Sequence, residues 1–205
     1  MFQVCNHQRP FRRPIHIRMD ITPYIDRTLA GEGQAFAEVV RTYQHMVHTV
    51  CHRVLWNTED AEEATQDTFV KAYQHLHGWN RTSKFSTWLY TIAYRTAVSH
   101  KRRATRPSVV LDSIGDMSAN VDHDGLERQD RRRFLDKALA QLPTEDAAIL
   151  NFFYLEELSV EEIVTVTGMS ASNVKVKLHR GRKRLLDILE HDLHGKARSL
   201  LLDDA

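Results

Sequence analysis

Little in this chain can turn sharply. Across 205 residues there are eight glycines and five prolines, too few for the many tight turns of a β-sandwich or barrel, so the reading is all-α. Two cysteines, Cys5 and Cys51, build no disulfide framework, which fits a reducing cytoplasm. No apolar run approaches the roughly 20 residues that span a bilayer. The arginines near the N-terminus are not followed by the apolar stretch of a signal peptide. A glycine-rich phosphate loop, an H-E-x-x-H pair and a G-x-S-x-G elbow are absent too. The expectation is therefore no enzyme, no cofactor and no metal centre. Net charge is only +1 and selects no partner by itself.

What is present is charge sorted along the chain. Met1 to Asp20 is basic, carries Pro10 and Pro14, and lacks periodicity, so a disordered extension is expected over 1–20. A short helix over Ile21 to Ala30 is followed by Gly31 and Gly33. Phe36, Val39, Val40, Tyr43, Met46, Val47, Val50 and Val54 then recur at helical spacing as one buried stripe. His45, His48 and His52 share another face with Cys51 beside them. The spacing suits a metal, but no carboxylate completes the set, and a solvated histidine face is the simpler reading.

An acidic helix opens at Asn57 or Thr58, both good N-caps. Glu59, Asp60, Glu62 and Glu63 favour its positive end. Ala61, Thr65, Thr68, Phe69 and Ala72 point inward, leaving Asp60, Glu63, Gln66 and Asp67 outside. That outer face is either plain solvated surface or a dock for a basic protein. After a polar turn comes an aromatic helix with Phe85, Trp88, Leu89, Ile92, Ala93 and Thr96 inward. Thr87, Tyr90, Thr91, Tyr94 and Arg95 are expected to point outward. Exposed tyrosines beside Arg95 and Lys84 can stack on unpaired bases, or equally contact a protein.

Residues 104–130 carry Pro107, Gly115, Gly125 and scattered aspartates without a sustained apolar stripe. So long a connection is uncommon inside one compact domain, and the chain divides here into two small helical domains, 21–103 and 131–205, joined by a flexible linker. In the second, Pro143 stops a short helix and Thr144 is read as capping the next. Ser159-Val160-Glu161-Glu162 forms a capping box, Gly168 supplies a left-handed turn, and Ser170 caps a final helix with Val174, Leu178, Gly181 and Leu185 inward. Helix, glycine turn, helix is the helix-turn-helix pattern. The last helix carries Lys175, Lys177, Arg180, Arg182, Lys183 and Arg184 with no acid among them. Its first residues suit base edges in a major groove, and its later cations suit phosphates.

At this point the chain resembles the extracytoplasmic-function sigma factors of bacteria. The resemblance rests on Asp60-Ala61-Glu62-Glu63-Ala64-Thr65-Gln66-Asp67-Thr68-Phe69, on Phe85-Ser86-Thr87-Trp88-Leu89-Tyr90-Thr91-Ile92-Ala93, and on Leu142-Pro143, Leu158-Ser159-Val160-Glu161-Glu162-Ile163 and Val174-Lys175-Val176-Lys177-Leu178-His179-Arg180-Gly181-Arg182. It implies a non-catalytic factor that binds core RNA polymerase, addresses promoters and helps melt the −10 element. Asp60, Glu63, Gln66 and Asp67 would meet the β′ clamp helices, and the β subunit would be a further contact. Trp79, Asn80, Lys84, Thr87, Tyr90, Thr91, Tyr94 and Arg95 would hold the melted −10 strand. Ser172, Asn173, Lys175, Val176, Lys177, His179 and Arg180 would read the duplex −35 element. An anti-sigma factor is the implied inhibitor, which would place the protein in the cytoplasm or at the membrane through that partner, without insertion of its own. Arg95 stands where relatives often have Asn, Val176 where they have a small residue, and Gly181 where they have Ala. A stand-alone helix-turn-helix regulator is the rival, but it leaves the acidic and aromatic helices unemployed.

Overall fold

The computed structural model describes residues 20–104 and 134–203, with side chains as far as residue 191. The expected N-terminal extension and most of the expected linker lie outside the described residues. Every regular element among the described residues is helical.

The first domain comprises α1 (Thr22–Leu29), α2 (Phe36–Leu55), α3 (Thr58–Gln74) and α4 (Phe85–Ala104), with 3₁₀ turns at Gly33–Ala35 and Leu76–Gly78. At about 1.5 Å per residue, the 20 residues of α2 make its central strut, and α3 and α4 pack on it and on each other. Its inward stripe is the one read from spacing: Phe36, Val39, Tyr43, Val47, Val50 and Val54 are buried. α2 ends where Trp56 takes a left-handed conformation (φ 56°), with its ring edge-on to His52 and beneath the Arg53 guanidinium. Asn57 then caps α3, its side-chain oxygen accepting the Asp60 amide at 2.9 Å. Ala61, Ala64, Thr68, Phe69 and Ala72 face in, and the Thr68 hydroxyl is satisfied by the Ala64 carbonyl.

The second domain holds α5 (residues 134–140), α6 (Thr144–Tyr154), α7 (Val160–Thr167) and α8 (Ala171–Asp203). Pro143, not Thr144, occupies the cap position of α6, and Thr144 is its first helical residue. The missing proline amide costs nothing there, because the first amides of a helix have no partner within it. The box at Ser159 and Glu162 is complete in both directions. Gly168 sits at φ 74°, a conformation disfavoured for a residue with a Cβ. α8 continues through Asp203, well past the helix-turn-helix itself.

The two domains are not separate bodies. α6 lies against α2 and α7 lies against α4, and Phe152 is buried with the tyrosines of α4. Spacing within either half could not have revealed this, because the contact is between halves.

Candidate functional site

Three surfaces carry the chemistry. The first is the outer face of α3. Glu63 and Gln66 are exposed, while Asp60 and Asp67 are partly covered. Asp67 is held from α4: its Oδ2 lies 2.9 Å from Nε2 of the nearly buried His100. Two residues missed in the sequence extend this face, Val70 and Tyr73, which remain 56% and 47% exposed. Val70 lies three residues along from Asp67 and four from Gln66, and Tyr73 three along from Val70, so they continue one row of the helix. An apolar residue outside the inward stripe was the signal, since such a row beside acids suits a protein contact more than water.

The second surface is α4 with the loop before it. The loop is braced. Trp79 Nε1 donates to the Ser83 carbonyl at 3.1 Å, and its ring meets Phe85 edge-on. Asn80 Oδ1 accepts from the amide and hydroxyl of Thr82. Arg81, in a left-handed conformation, lays its guanidinium over Trp79 and pairs with Asp26 of α1. The resemblance placed Arg81 in the Gly78 to Lys84 loop assigned to the −10 element without singling it out.

On α4 itself the expected exposure fails. Arg95 is exposed and Thr91 half-buried, its hydroxyl turned to the Thr87 carbonyl at 3.0 Å. But Thr87, Tyr90 and Tyr94 are buried, at 2%, 5% and 6% exposure. The second domain covers them. Both tyrosine rings stand edge-on to Phe152 with centroids 5.8 Å apart. The Tyr90 hydroxyl donates to Glu156. Thr87 Oγ1 and Lys84 Nζ both donate to Glu162 Oε1, at 3.3 and 3.2 Å.

Burial, then the carboxylate of Glu156, holds the Tyr90 phenol firmly protonated. Burial pushes the Tyr94 phenol up to about 12. Burial raises Glu156 above the ordinary carboxylate range. Burial also raises Glu162, but the Ser159 amide and Lys84 outweigh it and hold this group low.

The third surface is the N-terminal half of α8. Ser170 Oγ accepts from the Asn173 amide at 3.3 Å. Ser172, Asn173, Lys175, Val176, His179 and Arg180 are all exposed together, with Val174 and Leu178 beneath them in the core. Lys177 does not join them. Its ammonium turns back onto α6, 2.8 Å from Glu145 and 3.3 Å from Asp146, and Glu145 first among these partners raises its pKa. Arg184 binds the other oxygen of Asp146 at 2.8 Å, and Arg182 donates to the Tyr154 hydroxyl at 3.1 Å. Asp146 is 4% exposed, and these cations pair its buried carboxylate. Half of the basic run therefore fastens α8 to α6, while Lys175, Arg180 and Lys183 face solvent.

The histidine face of α2 does not assemble with Cys51. That thiol is fully buried, and burial pushes it up to about 11 even though the Thr65 and Thr68 hydroxyls pull the other way, whereas the half-buried His48 and His52 stack together, 6.1 Å between centroids.

Comparison with known proteins bears on both halves. The Sigma-70 region 2 family matches residues 39–107 and the Sigma-70 region 4 family matches residues 133–185. The chain is 29% identical over 181 residues to the ECF RNA polymerase sigma factor SigW of Bacillus subtilis, covering 82% of this chain and 96% of that one. It is 31% identical over 152 residues to the RNA polymerase sigma factor YlaC of the same species, covering 72% and 88%. Among solved structures, the fold matches CnrH in complex with the cytosolic domain of CnrY at TM-score 0.62 and 20% identity, over 84% of this chain and 99% of that one. It also matches the sigma factor RpoE bound to the anti-sigma factor NepR from Bartonella quintana at TM-score 0.64 and 21% identity, over 76% and 96%.

Proposed function

Because this chain belongs to the extracytoplasmic-function sigma factors of bacterial RNA polymerase, we propose that its three surfaces divide the work of initiation. The α3 face of Asp60, Glu63, Gln66 and Asp67 docks on the β′ clamp helices, with Val70 and Tyr73 adding apolar contact. The 79–84 loop and the outer face of α4 take the melted −10 strand, stacking bases on tyrosines and holding phosphates with Lys84 and Arg95. The exposed half of the α8 cations, with Ser172, Asn173, Val176 and His179, reads the −35 duplex in the major groove. The chain supplies address and strand separation, and the polymerase supplies the chemistry.

One observation carries this reading above all: an acidic face with apolar neighbours on α3 and a basic face on α8 lie in different domains, each matched by a different region of one family. A stand-alone helix-turn-helix regulator accounts for α7 and α8 and leaves the match over residues 39–107 without a purpose. Control by an anti-sigma factor belongs to the reading, since the structural neighbours CnrH and RpoE were solved with CnrY and the anti-sigma factor NepR. Among the described residues no helix is long and apolar enough to cross a membrane. We read the protein as cytoplasmic, with any membrane association arising through its inhibitor.

Asp60→Lys together with Glu63→Lys tests the polymerase contact. Asp67 stays in place because it holds His100. Like charges brought together across an interface cost several kcal/mol, so affinity for core polymerase should fall more than about a hundredfold, with helix content and melting temperature preserved. Unchanged affinity would remove the α3 face from the interface.

A further inference from the structure

We infer that the free chain is its own first inhibitor: acids of the second domain occupy the strand-opening face of α4 in place of nucleic-acid phosphates. This rests on the reading of α4 given above. Of the residues of α4 that would touch single-stranded DNA, Thr87, Tyr90 and Tyr94 are the ones the second domain covers, while Arg95 stays exposed. Thr87 and Tyr90 are buried and Lys84 is engaged, each by a carboxylate, Glu162 or Glu156. Phe152 sits edge-on to both tyrosines, against rings that would otherwise stack on bases. An aromatic flanked by carboxylates offers α4 what a nucleotide offers, an unsaturated ring and negatively charged oxygens.

The closure has a fastener of its own. Arg53 of α2 and Asp136 of α5 form an ion pair across the domains, at 7% and 4% exposure. Glu162 couples the closure to the helix-turn-helix, because the same side chain completes the capping box of α7 while holding Lys84 and Thr87. The exposed face of α8 takes no part. The closed chain thus withholds its single-strand face while leaving its duplex face open.

Paired spin labels in the full chain decide this. Labels at Glu62→Cys and Asp187→Cys, both exposed and outside the three surfaces, with Cys5→Ser, report the distance between domains. Wild type should give one short, narrow distribution. Asp136→Ala with Glu156→Ala should give a long, broad one. Removing one member of a buried ion pair should shift the closed-to-open ratio by at least about tenfold. Glu156→Gln, which still accepts the tyrosine proton, should stay closed. In parallel, capture of a labelled 12-nucleotide single-strand pool of random sequence should rise at least about tenfold in the double variant, and binding of a random 30-base-pair duplex should stay within about twofold. If the double variant loses helix content, Glu156→Ala alone decides, with the same expectations at smaller amplitude. A broad distribution in wild type, or a narrow one in the folded variant, would overturn the inference. Opening without a gain in single-strand capture would also overturn it, while the polymerase contact, tested separately by charge reversal on α3, would stand.

Discussion

Two lysines two residues apart on α8 should behave as different kinds of residue. Lys175 is exposed on the face assigned to DNA, and Lys177 is 22% exposed and bound to Glu145 and Asp146. Each phosphate contact contributes about 0.9 to the slope of log affinity against log salt. Between 50 and 200 mM salt that amounts to roughly a 3.5-fold change in affinity per contact. Lys175→Ala should therefore lower the slope by about 0.9, weaken duplex binding without regard to sequence, and leave the melting temperature in place.

Lys177→Ala should do the reverse. Asp146, left without one cation, retains Arg184 at 2.8 Å, so the cost stays well below the 3–5 kcal/mol of an orphaned buried charge. Glu145 is 54% exposed, and its share is discounted for screening. About 1 kcal/mol remains, or roughly 2–4 °C in the melting of a chain of this size. Fluorescence anisotropy of the full chain with a labelled 30-base-pair duplex, at four salt concentrations, gives the slopes, and circular dichroism gives the melts. If Lys177→Ala lowered the slope by about 0.9 and melted with wild type, Lys177 would be a phosphate ligand, and the ion pairs to α6 would be dispensable.

Gly181→Ala should stabilise the chain by roughly 0.5–1 kcal/mol through helix propensity. The new methyl would come within 3.2 Å of Leu150 Cδ1, but Leu150 lines a cavity of about 290 Å³ and has room to yield; a lower melting temperature would show that it does not. Tyr90→Phe keeps the ring and loses the hydrogen bond to Glu156, so permanganate footprinting of a promoter should show opening equal to or above wild type. Tyr90→Ala with Tyr94→Ala removes the stacking platform, worth roughly 1–3 kcal/mol per base, and should impair opening with polymerase binding spared. Equal opening by the alanine double variant would release these tyrosines from any role in strand separation.

Where a side chain's fate is decided within one helix, the sequence was legible. Asn57, Ser159, Glu162, Gly168 and Ser170 do what their types and spacing require, because a cap acts over three or four residues. The inward stripes of α2 and α3 were legible for the same reason. Tyr90, Tyr94 and Lys177 were not, since each finds its partner on another helix: Phe152 and Glu156 lie more than 50 positions from the tyrosines, and Asp146 lies 31 from Lys177. Periodicity says which face a residue occupies and nothing about what comes to rest on that face. Val70 and Tyr73 were missed for a related reason: spacing placed them outside the stripe, and only the described surface shows Val70 left exposed and Tyr73 half covered, its ring edge-on to Phe36.

Near-neutral net charge conceals the same internal pairing. Glu145 and Asp146 engage Lys177 and Arg184, Glu162 engages Lys84, and Asp136 engages Arg53. Once these are subtracted, Lys175, Arg180 and Lys183 on α8 and Arg95, Arg102 and Arg103 on α4 face solvent, and Lys84 stays largely exposed beside Glu162. The α8 group is ready as it stands, with its helix already fastened to α6. The α4 surface keeps its cations exposed but has its stacking rings beneath Phe152. On the proposed assignment of α8 to duplex and α4 to single strand, such a chain engages duplex DNA without rearrangement but must part its domains before it can hold a single strand. Strand capture then requires loss of the Arg53–Asp136 and Tyr90–Glu156 contacts, so whatever separates the domains controls access to the −10 strand while leaving the −35 face as it was.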